Sequence, residues 1–222
     1  MILSNKENNL SAKEKALLIG SLLGDGFLQK TPAFTGKVRF RVGHSKAQKD
    51  YLLYKYKILK RFCEKVKPAH DFLDHGYPAC KFYTSYCEEF IPWHDYFYEK
   101  IVKNNKTQYK KVIRSDIKKH LTDPYSLAIW FCDDGTLRKD CDSGRIATQS
   151  FSKEEVLTLM DSLKKNYNIE TSLDTWTNKK KELIYGIAIL AKSGNWNKFR
   201  ELIKDIIEIE IPSMTYKLYK PG

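Results

Sequence analysis

Two stretches of this chain carry apolar residues at helical spacing, and each closes on an acid and a glycine. They are Leu17-Leu18-Ile19-Gly20-Ser21-Leu22-Leu23-Gly24-Asp25-Gly26 and Ser126-Leu127-Ala128-Ile129-Trp130-Phe131-Cys132-Asp133-Asp134-Gly135. After the first, Phe27-Leu28-Gln29-Lys30 leads into a turn around Pro32 and Gly36. Val38-Arg39-Phe40-Arg41-Val42 then alternates with period two, which predicts a half-buried strand with its arginines outward. Ser45-Lys46-Ala47-Gln48 matches a capping box and predicts a helix to about Phe62, with Tyr51, Leu52, Lys55, Ile58, Leu59 and Phe62 at its apolar spacing. The second stretch is followed by Thr136-Leu137-Arg138-Lys139, a turn near Asp142-Ser143-Gly144, a strand over 145–150 and a helix from a Ser152 cap to about Tyr167. Strands over 81–85 and 183–190 precede Trp93 and Trp196, the latter strand after a polar tip, Asn178-Lys179-Lys180-Lys181.

The order repeats at nearly constant offset: 134 − 25 = 109 for the acids, 152 − 45 = 107 for the caps and 196 − 93 = 103 for the tryptophans. The predicted fold is α+β, with two pseudo-symmetric αββαββα halves over 10–108 and 123–222, antiparallel sheets, and a linker over 109–122. If Leu28 and Leu137 face the core, Gln29 and Arg138 face outward with Arg39 and Arg41. A sheet face lined with Gln and Arg suits adenine and guanine edges in a major groove.

Charge sharpens that picture. With 39 Lys+Arg against 27 Asp+Glu, the 222 residues carry a formal charge of +12, which points to a polyanionic partner. Binding is then expected to weaken with salt, log K falling by about 0.9 per phosphate neutralised. Five cysteines, odd in number and without C-x-x-C spacing, support neither a disulfide framework nor a zinc ribbon. No apolar signal core and no run of about 18 apolar residues is present, so an intracellular protein without a membrane role is expected. Composition does not separate an organelle from a bacterial cytoplasm.

The acids are the candidate chemistry. Asp25 and Asp134 close helix-like runs, where the backbone carbonyls already disfavour an anion, and a divalent cation is the obvious compensation. A single Asp-Gly after a helix is ordinarily a stop signal; its recurrence at a matched position favours function. The alternatives are thin. Asp116-Ile117-Lys118 matches the D-x-K fragment of restriction-type nucleases but has no convincing partner acid upstream, and Tyr185-Gly186 is only a fragment of a GIY/YIG pair. Phosphate-loop and zinc-helix patterns are lacking.

These residues resemble the LAGLIDADG homing endonucleases in their single-chain, two-motif form. The first copy keeps Leu18, Gly20, Asp25 and Gly26 and the second Leu127, Ala128, Asp134 and Gly135, while Ile129 and Asp133 replace small residues; Ala128 and Cys132 are then expected to meet Gly20 and Gly24. The resemblance implies a monomeric, sequence-specific endonuclease that cuts double-stranded DNA at a long asymmetric site. Its motif helices would pack at the centre beneath a saddle of strands. Asp25 and Asp134, with the carbonyls of Gly24 and Asp133, would hold Mg²⁺; Mn²⁺ is expected to substitute, and Ca²⁺ to bind without supporting cleavage. Lys111 and Lys217 fit the active-site lysine, and His44 and Gln149 the polar residues that organise water. Gln29, Lys30, Arg39, Arg41, Arg138, Lys139, Arg145, Lys179, Lys180 and Lys181 are the candidate DNA contacts. The second reading is an intron maturase, or a catalytically silent binder of the same fold, that uses the basic surface on RNA.

Overall fold

The computed structural model describes residues 9–30, 36–103, 106–138, 141–177 and 181–219. Helix α1 (Ala12–Leu23) starts at a reciprocal cap: Ser11 Oγ accepts from Glu14 N at 3.2 Å, and Ser11 N donates to the Glu14 carboxylate at 2.7 Å. Leu17, Leu18, Ile19 and Leu22 are fully buried, so α1 lies inside the molecule rather than along its edge. Strands β1 (Phe27–Lys30) and β2 (Val38–Ser45), helix α2 (Lys49–Ile58), strands β3 (His70–Asp74) and β4 (Tyr77–Tyr83), and helix α3 (Ile91–Phe97) follow.

The second half copies this order with α4 (Pro124–Asp134), β7 (Gly135–Leu137), β8 (Gly144–Ala147), α5 (Lys153–Tyr167), β9 (Ser172–Thr177), β10 (Leu183–Ile189) and α6 (Asn195–Asp205). Between the halves, β5 (Tyr98–Lys103) and β6 (Lys106–Lys111) pair as an antiparallel hairpin. The stretch read as a linker from 109 therefore begins inside a strand. The two four-stranded antiparallel sheets have matching orders, β1-β2-β4-β3 and β7-β8-β10-β9. Among the described residues no helix is long and apolar enough to cross a membrane, and all five cysteines are free thiols.

Helices α1 and α4 pack against each other, and the close approach is made by glycines on one side only. A Cβ at Gly20 would fall 2.4 Å from Ser126 O and 2.8 Å from Ile129 Cβ, and one at Gly24 would fall 2.5 Å from Asp133 Cβ. Ser126 Oγ adds a bond to Ala16 O at 3.0 Å. The expected contacts through Ala128 and Cys132 are thus replaced: the two bulky residues of the second motif, Ile129 and Asp133, fill the spaces left by the first motif's glycines.

Strand β2 runs to Ser45, three residues further than its alternation predicts. Ser45 consequently caps nothing, its hydroxyl lying 3.3 Å from Gln48 Oε1, and α2 starts only at Lys49 after a short 3-10 turn. Ser152 does build its box, with Ser152 N on the Glu155 carboxylate at 2.7 Å.

Candidate active site

The C-terminal ends of α1 and α4 come together, with Asp25 N donating to Asp133 Oδ2 at 3.2 Å, and the charge of Asp25 acts on Asp134. Burial, together with the charges of Asp25 and Asp133, pushes the Asp134 carboxyl up to about 7. Burial also works upward on Asp25, but a hydrogen bond and charge from His44, with the charges of Lys55 and Lys217, hold it below the usual carboxylate range. His44, near the end of β2, has Nδ1 3.2 Å from Asp25 Oδ2, and its ring packs on Tyr51.

Lys111 ends β6 and reaches the same centre. Its Nζ donates to Gly24 O at 3.2 Å and Gly26 O at 2.8 Å, and Lys217 Nζ donates to Asp133 O at 3.1 Å. Each lysine therefore sits on the carbonyl of the residue before its half's motif acid. Burial lowers Lys111 to about 8 against the pull of Asp134, Asp133 and Asp25, and lowers Lys217 as well.

The side chain of Asp133 lies apart from this pattern. It is fully buried and accepts from Lys55 Nζ at 2.6 and 2.8 Å, Tyr51 hydroxyl at 2.7 Å and Asp25 N at 3.2 Å. Tyr51 and Lys55 are one turn apart on α2 and were legible only as members of its apolar stripe. A lysine in such a stripe is the signal, because it must find a buried anion.

Gln149 is not brought to the site. Pairing of β1 with β2 and of β7 with β8 sets Arg41 opposite Phe27 and Arg145 opposite Thr136. Counting on from there, Thr148 is the counterpart of His44, and Thr148 Oγ1 donates to Tyr185 O at 2.9 Å. Gln149 falls in an exposed turn one residue later.

On the outer face of the first sheet, Gln29 Oε1 accepts from Arg39 Nε at 2.9 Å and Arg41 Nη1 at 3.2 Å, and the Arg39 guanidinium lies over Tyr83 and Tyr86. Lys30 alternates to the other side of β1 and faces Asp95 at 3.4 Å. In the second half Arg145 is ion-paired with Asp174 and lies over Trp176, Arg138 is half-buried, and Lys181 is exposed. Lys139, Lys179 and Lys180 lie outside the described residues.

The LAGLIDADG DNA endonuclease family model matches residues 15–196. The chain belongs to this family. It is similar to the DNA endonuclease I-ChuI of Chlamydomonas applanata, 32% identical over 95% of this chain and 96% of that one. It is also similar to the cytochrome b mRNA maturase bI2 of Debaryomyces hansenii, 29% identical over 91% of this chain and 72% of the maturase. It spans about half (49%) of the Mycolicibacterium flavescens RecA protein at 28% identity. Among solved structures, the homing endonuclease I-WcaI bound to its DNA recognition sequence superposes with a TM-score of 0.76 at 26% identity, over 96% of this chain and 88% of that one. Family membership makes the chain a homing endonuclease, a DNA-cleaving hydrolase of mixed α+β fold.

The donors at the helix ends fit a divalent cation. They are hard oxygens, and Asp134 is held up chiefly by burial, with the charges of Asp25 and Asp133 adding to it, so a bound cation would favour its ionised form. The ligand atoms of Asp25, His44 and Asp133 lie within 4.8 Å of one another, but Lys55 and Tyr51 already engage the Asp133 carboxylate.

Proposed function

We propose that this monomeric chain cuts both strands of one long, asymmetric duplex site by Mg²⁺-dependent hydrolysis, with Mn²⁺ as a substitute and Ca²⁺ supporting binding alone. The observation that carries the reading is that Asp25 and Asp134 stand at the ends of two packed helices, near enough for one charge to act on the other, each with a lysine on the carbonyl beside it. Asp25, Asp134 and the carbonyls of Gly24 and Asp133 would hold the ion, which when bound supplies Lewis-acid stabilisation of charge on the phosphate oxygens. Lys111 and Lys217 add positive charge where the oxygens around five-coordinate phosphorus become more anionic. His44 fixes the Asp25 carboxylate through Nδ1. The attacking water's oxygen forms a bond to phosphorus as the bond to the 3′ oxygen breaks; the water's proton passes to solvent and the 3′ oxygen takes one up. The products are a 5′-phosphate and a 3′-hydroxyl.

Selection of cut sites from a randomised duplex library, with Mg²⁺, Mn²⁺ and Ca²⁺ in parallel, tests the proposal. Asp25→Asn and Asp134→Asn are each expected to abolish double-strand cleavage and to leave binding in Ca²⁺ intact. Full cleavage by both variants would refute the assignment. The similarity to maturase bI2 favours a second activity on RNA, checked by binding and splicing of candidate intron transcripts.

A further inference from the structure

Asp133 presents a third carboxylate next to Asp134 and beside Asp25, and the chemistry above uses only its carbonyl. Left to itself it would complete a donor triad with Asp25 and His44, whose ligand atoms lie within 4.8 Å of one another. His44 Nε2 is buried, has no hydrogen-bond partner among the described residues and lies 3.8 Å from Asp133 Oδ1. Two carboxylates and an imidazole suit Mn²⁺ and other transition ions better than Mg²⁺.

Lys55 stands against that assembly. A carboxylate offers about four lone-pair sites. At Asp133 they meet Lys55 Nζ on both oxygens, the Tyr51 hydroxyl on Oδ1 and Asp25 N on Oδ2. Neither Lys55 nor the Asp133 side chain has any solvent exposure. The arrangement belongs to one half only: α2 and α5 begin 104 residues apart (153 − 49), and at that offset Leu159, a fully buried apolar side chain, stands where Lys55 does.

We propose that Lys55 is a positioning residue that withholds the Asp133 carboxylate from coordination, which keeps the Asp25–His44–Asp133 triad from closing on an ion and the Asp25 backbone anchored. This rests on the metal-dependent reading above. The test is Mn²⁺ and Mg²⁺ binding to the free protein by calorimetry and by electron paramagnetic resonance of Mn²⁺, with cleavage in each ion measured alongside. Lys55→Met is expected to bind Mn²⁺ about tenfold more tightly than the wild type, a typical size for altering the partner of a ligand, and to raise the Mn²⁺-to-Mg²⁺ cleavage ratio. Adding Asp133→Asn should return both to wild-type values. A folded Lys55→Met protein with wild-type Mn²⁺ affinity overturns the proposal. If that variant is unfolded without cation, its thermal midpoint decides: Mn²⁺ should raise it by more than it raises the wild type, and an equal rise counts against the proposal. A wild-type protein that binds neither ion would instead sink the metal-dependent reading, and this inference with it.

Discussion

Single residues show where sequence and structure part company. Asp25 and Asp134 stood out because a repeated acid at a helix end needs a physical reason, and in the fold the charge of Asp25 acts on Asp134. Lys55 was legible on α2's apolar stripe but not in its role, because its anion, Asp133, lies 78 residues away and the family resemblance gives Asp133 only a carbonyl role. Gly24 is one of the two close points of the helix pair. Its replacement by alanine drives a Cβ into Asp133, and overpacking of this kind costs about 1–3 kcal/mol, measurable by denaturant unfolding. Glu14 gives a pH test away from the acids. Burial pushes its carboxyl up, but hydrogen bonds from Arg61 and Ser11 and the Arg61 charge outweigh that and hold it below 4.5. A carboxyl depressed in the folded state stabilises above its unfolded value and loses that contribution as pH falls through the folded one. The stability gap between the wild type and Glu14→Gln should therefore be full at pH 6 and shrink below about pH 4.5; a gap constant down to pH 3 would contradict this.

At the scale of elements, the sequence pattern located β1, β2, β4, β7, β8 and β10 but not the sheet strands β3 and β9, and it failed again where a strand has no apolar face. Strand β6 reads Lys-Thr-Gln-Tyr-Lys-Lys, polar on both sides, so it passed for linker although its end places Lys111. The capping signal at Ser45 misled for a different reason. Cross-strand pairing of His44 and Ser45 with Cys80 and Ala79 carries β2 past the point where local sequence offers a helix start. Tertiary pairing outcompeted a local cap, and the two serines should differ accordingly. Ser152→Ala is expected to cost about 1 kcal/mol, and Ser45→Ala less than about 0.5 kcal/mol, in equilibrium unfolding. Equal losses would mean that the Ser45 hydroxyl does more than its contacts show.

At the scale of the molecule, equal topology carries unequal chemistry. The first sheet's outer face places Phe27, Arg41 and Tyr83 in one row and Gly43, Lys81 and His70 in the next. A hollow of about 330 Å³ opens over Gly43, walled by Phe27, Phe72, Arg41 and Lys81, with Asp25 among its lining residues. At the matching place in the second sheet, Ala147 pairs with Gly186, and Trp176 lies so close that a Cβ on Gly186 would fall 2.7 Å from its ring. Arg145 there is already neutralised by Asp174. A guanidinium must give up such a partner before it can pair with a guanine edge, whereas Arg39 and Arg41 are held by a neutral glutamine and by aromatic faces. Sequence discrimination should accordingly be sharper in the half-site under the first sheet. In a substitution scan of the selected target, each wrong base pair there should cost about 1–3 kcal/mol where it loses a bidentate contact, with smaller penalties under the second sheet. Arg39→Ala should relax specificity at one position without changing the salt slope, since a base contact releases no phosphate counterions. Penalties spread evenly over the two half-sites would show that Asp174 yields Arg145 to DNA at no cost, and the structural asymmetry would then have no counterpart in recognition.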